Sequence, residues 1–329
     1  MIFSPTVGVI IPNYNDEAYV ADCYNNIAGQ TVPFDQIIFV DDCSVDDSVN
    51  VIKNCFSSFQ NFELIEFCQN KGTVSAINAG LEACDCDYVL FLSVNDCIFK
   101  DLVETFKTTL SSNVGVWSAL CLNTPPSGNG FKTRHTPVIS SVPTYYSPLQ
   151  VLELVDVYTN WYVGTTMFFN TSLVKRHNGL SLKTEGLADW LLALVLSLEN
   201  GCIFVPKILG AVRIHSFSYL ETSIMKNSLI QGVEDYFNQT SITHLIPLNL
   251  RKKIISRIKL NRFLASFKNT KSKNIFVKLF CLIRLFASIV SWLWINKFNF
   301  LKLCFAKYFV ARKVYRKFLS EKMNATKTL

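Results

Sequence analysis

Three apolar segments in the first hundred residues each run into side chains that can hold a ligand. Val9-Ile10-Ile11 leads to Pro12-Asn13-Tyr14-Asn15, Phe39-Val40 to Asp41-Asp42-Cys43-Ser44, and Leu90-Phe91-Leu92 to Ser93-Val94-Asn95-Asp96. Paired carboxylates such as Asp41 and Asp42 accept hydrogen bonds from a ribose or a base, and the ring of Tyr14 offers a flat stacking face. That chemistry suits a nucleotide.

Such groups need a frame that brings strand ends together. Short apolar runs alternate with helical stretches over the same region, with strands expected at 7–11, 36–40, 62–67, 87–92 and 114–118, and helices at 17–29, 46–58, 73–83 and 100–110. The pattern predicts an open, doubly wound α/β sheet, whose ligands bind at the carboxyl edge of the strands. Asp46 and Asp47 open the second helix, where acids cap free N–H groups, so they read as structural.

Beyond residue 121 the chain changes character. Pro125-Pro126, Gly128, Gly130, Pro137, Pro143 and Pro148 mark a long loop over 122–148, in which Lys132, Arg134 and His135 could reach a phosphate. A helix is expected at 149–160, a strand over Gly164-Thr165-Thr166-Met167-Phe168-Phe169, and a helix at 171–177. An apolar helix at 188–200, stopped by Gly201, precedes a short strand from Cys202 to Val205 that ends before Pro206.

Charge divides the chain. Residues 251–329 carry 20 Lys and Arg against Glu321 alone, while the residues before them hold 12 basic and 24 acidic side chains. The basic tail interleaves its charges with Phe, Leu, Ile, Trp and Tyr, which favours an anionic membrane surface over nucleic acid. Its most apolar stretch, Leu279 to Ile295, contains only Arg284 as a charge and is 17 residues long, short of the roughly 20 that a span needs. An interfacial helix is expected, with Trp292 and Trp294 at the boundary.

Eleven cysteines are scattered without framework spacing, as in a reducing compartment. Cys84-Asp85-Cys86 lacks a second ligand pair and reads as two half-buried thiols before a strand. Pro5 and Gly8 interrupt any signal-peptide pattern, so the expected location is cytoplasmic, peripheral on the inner face of the membrane.

The four motifs Val9 to Asn15, Phe39 to Ser44, Asn70-Lys71-Gly72 and Leu90 to Asp96 occur in the order and spacing of the family 2 glycosyltransferases, which the chain resembles over the first hundred residues and less sharply to about 220. The resemblance implies a GT-A (Rossmann-like), mostly parallel sheet flanked by helices. It places the glycosyltransferase domain in residues 1–225, with a basic amphipathic helical region over 226–329. It also implies a nucleotide-sugar donor, UDP being the first guess, a glycan or lipid-linked glycan acceptor, and Mn2+ or Mg2+ as cofactor.

By that resemblance Pro12, Asn13 and Tyr14 would line the nucleoside pocket, Asp42 would accept from the base and Asp41 would orient the loop. Asn70, Lys71 and Gly72 would reach the nucleotide from the third strand. Many members read Asp-x-Asp-Asp where this chain reads Ser93-Val94-Asn95-Asp96. The metal is therefore left to Asp96, and the ribose or a metal-bound water to Asn95, and weak metal affinity is expected without nucleotide. Asp189, after Ala188 in place of the usual first acid, resembles the general base. Arg213 would meet the phosphate and His215 the metal, and Glu185 is a weak substitute for the missing acid.

Two other classes compete. A nucleotidyltransferase would show a Gly-rich, basic phosphate loop after the first strand, whereas Pro12 to Glu17 is acidic. A non-catalytic nucleotide-binding or scaffold protein with a degenerate site would bind nucleotide and consume no donor.

Overall fold

The computed structural model describes residues 4–128, 130–134, 136–158, 160–214, 219–226 and 228–269. His135, His215 and the segment 279–295 fall outside the described residues. Those described form two compact units, one from residues 4–182 and 188–214, the other from 183–187 and 219–269.

The first unit is an α/β sheet flanked by helices. Its chain runs β1 (Val7–Asn13), α1 (Glu17–Ala28), β2 (Gln36–Asp41), α2 (Ser48–Phe56), β3 (Phe62–Glu66), α3 (Thr73–Ala83), β4 (Tyr88–Phe91), β5 (Cys97–Ile98), α4 (Leu102–Thr109) and β6 (Val116–Thr124). After these come β7 (Lys132–Thr133), β8 (Thr144–Tyr146), α5 (Pro148–Tyr158), β9 (Met167–Asn170), α6 (Thr171–Arg176), α7 (Ala188–Asn200) and β10 (Cys202–Arg213).

The sheet order is β3-β2-β1-β4-β9-β6-β10-β5, with β7 beside β6 and β8 beside β10. Strands β1 to β4 pair in parallel, and β6 pairs in parallel with β10. Between the two halves β9 runs antiparallel to both β4 and β6, so it alone among the long strands is reversed. The winding reverses between β1 and β4, and their carboxyl ends flank the crevice where such sheets take ligands. Pairing of Asn13 with Asp41 brings the first two motifs to one level.

Apolar periodicity explains the helices. Val20, Cys23 and Ile27 form the buried stripe of α1, and Ser48, Ile52 and Phe56 that of α2. Phe56 meets Phe39 of β2 at 4.7 Å and Phe62 of β3 at 5.5 Å between ring centroids, which locks α2 over the edge of the sheet. Helix α7 is buried nearly all round, from Leu191 to Leu198, and each such aliphatic side chain contributes roughly 2 kcal/mol.

Three expectations are corrected in detail. The expected strand over Gly164 to Phe169 begins only at Met167, because Gly164–Thr166 closes a 3-10 turn. The strand expected to end at Val205 continues to Arg213. Pro206 is tolerated there because the β10/β6 register slips between Val205 and Ile208, a bulge that spares the missing N–H. The loop over 122–148 is shortened by the extension of β6 to Thr124 and interrupted by β7 and β8.

In the second unit α8 (Tyr219–Met225), α9 (Ser228–Phe237), α10 (Thr240–Thr243) and α11 (Leu248–Asn269) pack around Leu229, Val233, Tyr236, Phe237, Leu250, Ile254 and Ile258. Glu185 adopts φ 43 and ψ −122, a strained conformation for a residue with a side chain, and its carboxylate ion-pairs with Lys226 at 2.7 Å. No helix among the described residues is long and apolar enough to cross a membrane.

Candidate functional site

The carboxyl ends of β1 and β2 are clasped by side chains from each other's loops. Asn13 Nδ2 donates to Asp41 Oδ1 at 2.6 Å and to Ser44 Oγ at 3.1 Å. Asp41 also accepts from Ser44 Oγ at 2.6 Å and from the Ser44 N–H at 2.9 Å. The Asn15 N–H returns to Ser44 Oγ at 2.9 Å, and Asn15 Oδ1 takes the Val45 N–H at 2.8 Å. Asp41, 2% exposed, is thus the knot that fixes both loops. Asp46 accepts the N–H groups of Glu17 and Ser48, the structural role read from its position.

Asp42 reaches the other way. Its two carboxylate oxygens accept the backbone N–H groups of Lys71 at 2.6 Å and Gly72 at 2.7 Å. Gly72 has φ 86 and ψ 157, a region essentially open to glycine only, and α3 starts immediately after it. The Asn70-Lys71-Gly72 motif is therefore a loop gripped by Asp42 at its backbone, with the side chains of Asn70 and Lys71 left exposed. Lys71 Nζ lies 4.5 Å from the centroid of the Phe67 ring. Tyr14, 48% exposed, stands on the same sheet edge, as does the half-buried Pro12.

On the far side of the crevice Asp96 is buried and oriented from two directions. Thr165 Oγ1 donates to its Oδ2 at 2.6 Å, and the Arg213 N–H donates to its Oδ1 at 2.9 Å. Asn95 is half-buried and its side-chain oxygen accepts from Ser93 Oγ at 3.1 Å.

Arg213 is 5% exposed, and its guanidinium spans three segments. Its Nε donates to Asn95 O at 2.7 Å and a terminal nitrogen to Pro126 O at 2.8 Å. The other terminal nitrogen meets Asp22 Oδ2 at 3.0 Å, and the ring of Tyr19 lies 4.6 Å away. These contacts tie α1, the Asp96 loop and the Pro126 turn together.

Asp189 opens α7, where its Oδ1 accepts the Trp190 N–H at 2.7 Å. Burial pushes its carboxyl above the ordinary carboxylate range, and that hydrogen bond opposes the shift. Gly164 faces it closely. A Cβ at Gly164 would stand 2.8 Å from Asp189 Oδ2, so glycine is what leaves the carboxylate its place.

Among the described residues no group of three His, Cys, Asp or Glu could hold a metal ion. Asp41 and Asp42 are occupied by loop N–H and amide groups, so Asp96 is the carboxylate left for a cation from the motif that carries it, and a hard divalent cation there would need the oxygens of a bound diphosphate to complete its shell. The donor set fits a cation that arrives with nucleotide and not a resident one. Cys84 and Cys86 are free thiols, in keeping with their sequence reading, but buried where half-burial was expected.

Sequence reasoning did not single out Thr165, Gly164 or Asp22. The first two sit in a Gly-Thr-Thr run that reads as a strand, and only the turn reveals that one residue meets Asp96 and its neighbour Asp189.

Residues 8–160 match the family model described as glycosyl transferase family 2. A putative teichuronic acid biosynthesis glycosyltransferase, TuaG of Bacillus subtilis, is 31% identical over 102 residues, which are 31% of this chain and 40% of that one. The chain thus spans two fifths or less of the curated relatives' lengths. TarS of S. aureus, solved for residues 1–349 in complex with UDP-GlcNAc, superposes with a TM-score of 0.58 at 18% identity, covering 89% of this chain and 82% of that one. A mannosyltransferase from Pyrobaculum calidifontis in complex with GDP-Man and Mn2+ gives 0.54 at 16% identity, covering 90% and 89%. At these identities the likeness is one of fold, the GT-A fold.

Proposed function

Since residues 8–160 belong to the family 2 glycosyl transferases, we propose that this protein transfers a sugar from a UDP-sugar to a hydroxyl of a glycan or lipid-linked glycan in cell-surface polysaccharide synthesis. The observation that carries this reading is the sheet edge itself. Asp41 and Asp42 fix the loops after β1, β2 and β3, and Asp96 is oriented on the opposite wall. Tyr14 would stack on the base, with Pro12 and Asn13 shaping the floor and Asn70, Lys71 and Asn95 reaching the ribose and phosphates.

Transfer proceeds by a single displacement. The acceptor oxygen forms a bond to the anomeric carbon while the bond from that carbon to the diphosphate oxygen breaks, inverting the centre. Asp189 takes the proton of the acceptor hydroxyl, a task for which a raised carboxyl pKa is suited because it lies closer to operating pH. UDP leaves with the electron pair. Asp96 would hold Mn2+ or Mg2+ together with the diphosphate, and such a cation would supply charge to offset the leaving group. Holding donor, acceptor and base in one geometry supplies much of the remaining acceleration.

The second unit supports a place at a membrane. Between residues 251 and 262 α11 carries Arg251, Lys252, Lys253, Arg257, Lys259 and Arg262 with no acid, while Leu250, Ile254 and Ile258 face its own core. A helix so rich in cations suits anionic headgroups on the inner leaflet. Equal partitioning of the protein to neutral and anionic vesicles would remove this part of the reading.

Thermal unfolding with UDP, GDP or dTDP, each with Mn2+ or chelator, tests the site, because a ligand that binds the native state raises its melting temperature. Stabilisation by UDP that requires metal is expected. UDP binding that ignores metal, with no donor consumed, would favour the non-catalytic nucleotide-binding alternative.

A further inference from the structure

We propose that the turn Gly164–Thr165 is a shared positioning element of the reaction, in which Gly164 makes room for the Asp189 carboxylate and Thr165 fixes the rotamer of Asp96. The inference rests on the transferase reading above. It goes beyond that reading by assigning roles to two residues that hold no substrate.

The geometry is specific on both sides. A Cβ at Gly164 would meet Asp189 Oδ2 at 2.8 Å, closer than side-chain carbons approach an oxygen, and its backbone has no positive φ that would call for glycine. A Cβ there would push the far end of the Asp189 side chain aside, so what glycine preserves is the position of that carboxylate and not the turn. On the other side Thr165 Oγ1 donates to Asp96 Oδ2 at 2.6 Å, a short, charge-assisted bond within the buried interior.

The turn itself is anchored. Thr165 and Thr166 are 4% and 0% exposed, Thr166 Oγ1 donates to Ala119 O of β6 at 2.9 Å, and the Thr166 N–H closes the turn on Val163 O at 3.0 Å. A rigid two-residue segment thus sets two carboxylates that come from distant parts of the chain. One belongs to the donor side and the other to the acceptor side of the proposed chemistry. Their relative placement then depends on a single peptide unit.

The two residues should fail differently. Gly164→Ala displaces the Asp189 carboxylate and should lower kcat roughly 100-fold, the scale of a misplacement of about 1 Å, while KM for the donor and the Kd of UDP stay within about twofold. Thr165→Val removes the hydroxyl at nearly constant shape and should weaken Mn2+-dependent UDP binding by about tenfold, the effect of one charge-assisted hydrogen bond. Thr165→Ser keeps the hydroxyl and should restore it. A residue that merely packed would show no such rescue.

The full-length protein is assayed for UDP release from UDP-GlcNAc and UDP-glucose, with UDP binding by calorimetry and thermal unfolding for every variant. An undiminished kcat for Gly164→Ala, or Thr165→Ser as impaired as Thr165→Val, overturns the inference. If Gly164→Ala does not fold, the Thr165 pair still tests it. Asp189→Asn separates the two levels. Full turnover in that variant, or no turnover of either donor by the wild type, overturns the transferase reading beneath. An inactive Asp189→Asn with an unimpaired Gly164→Ala sinks the positioning role alone.

Discussion

Asp42 Oδ2 accepts the Gly72 N–H at 2.7 Å, and with the Lys71 N–H on its other oxygen the carboxylate holds the loop ahead of α3 from the end of β2. A carboxylate is needed because both partners are donors. Asp42→Asn turns an NH2 group toward one of those N–H groups, losing a charge-assisted bond and leaving a donor unpaired. Nucleotide affinity should fall roughly 10- to 100-fold, corresponding to about 1.5–3 kcal/mol. Calorimetric titration with UDP checks this, and an unchanged Kd contradicts the role.

Gly72 extends the same argument to the backbone. With φ 86 and ψ 157 it occupies a region that other residues enter at a cost of about 1–3 kcal/mol. No atom lies within 4 Å of a Cβ built there, so Gly72→Ala isolates the conformational cost from any clash. A stability loss of that size is expected in urea unfolding, together with weaker UDP binding as the Lys71 and Gly72 N–H groups leave Asp42.

Much of this arrangement is legible in the sequence because it is built from strand ends. A strand fixes where its last residue points, so apolar runs closing on Asn13, Asp41 and Asp42 locate a sheet edge without knowledge of tertiary contacts. What lies across the crevice is not legible in that way. The Thr165–Asp96 bond joins residues whose juxtaposition depends on the reversed strand β9, and the two β-branched threonines of Gly164–Thr166 read as the start of that strand. The guanidinium of Arg213 is held by Asn95 O and Pro126 O, main-chain atoms that any residue type provides. The length of β10 was hidden by Pro206, since only the register slip against β6 lets the strand continue through it.

Asp189 makes a prediction about pH that needs no substrate. Burial raises its folded-state pKa above the unfolded value, so the native state holds its proton where the unfolded chain has released it. Its contribution to stability is therefore greatest below the ordinary carboxylate pKa and declines as pH rises through the folded-state value. Asp189→Asn removes that decline. The melting temperature of the variant should gain on the wild type between acid and neutral pH and approach it again in acid, while turnover is lost at every pH.

Asp96 separates metal from nucleotide. Its carboxylate is oriented at the crevice by Thr165 and by the Arg213 N–H. Asp96→Asn keeps an acceptor for one of these donors and removes the charge. The stabilising effect of UDP with Mn2+ should fall to that of UDP with chelator, while the chelator value itself is unchanged. Loss of binding under both conditions would instead mean that Asp96 serves the fold of the pocket.

Arg213 shows how a cation near such a site is used when its donors are already committed. Replacing it by Met keeps the stem but removes two charge-assisted hydrogen bonds, each worth about 1.5–3 kcal/mol where water cannot replace it, as at the half-buried Asn95, and less at the exposed Pro126. The bond to Asp22 adds less, because that carboxylate is 58% exposed and water screens it. Arg213→Met should therefore lower the unfolding free energy by several kcal/mol, whereas Asp22→Asn should change it by about 1 kcal/mol or less. Arg213→Lys cannot span the three partners with one ammonium and should lie closer to Met than to the wild type. If the guanidinium acted on the diphosphate alone, Arg213→Met would leave urea unfolding unchanged and weaken only UDP binding.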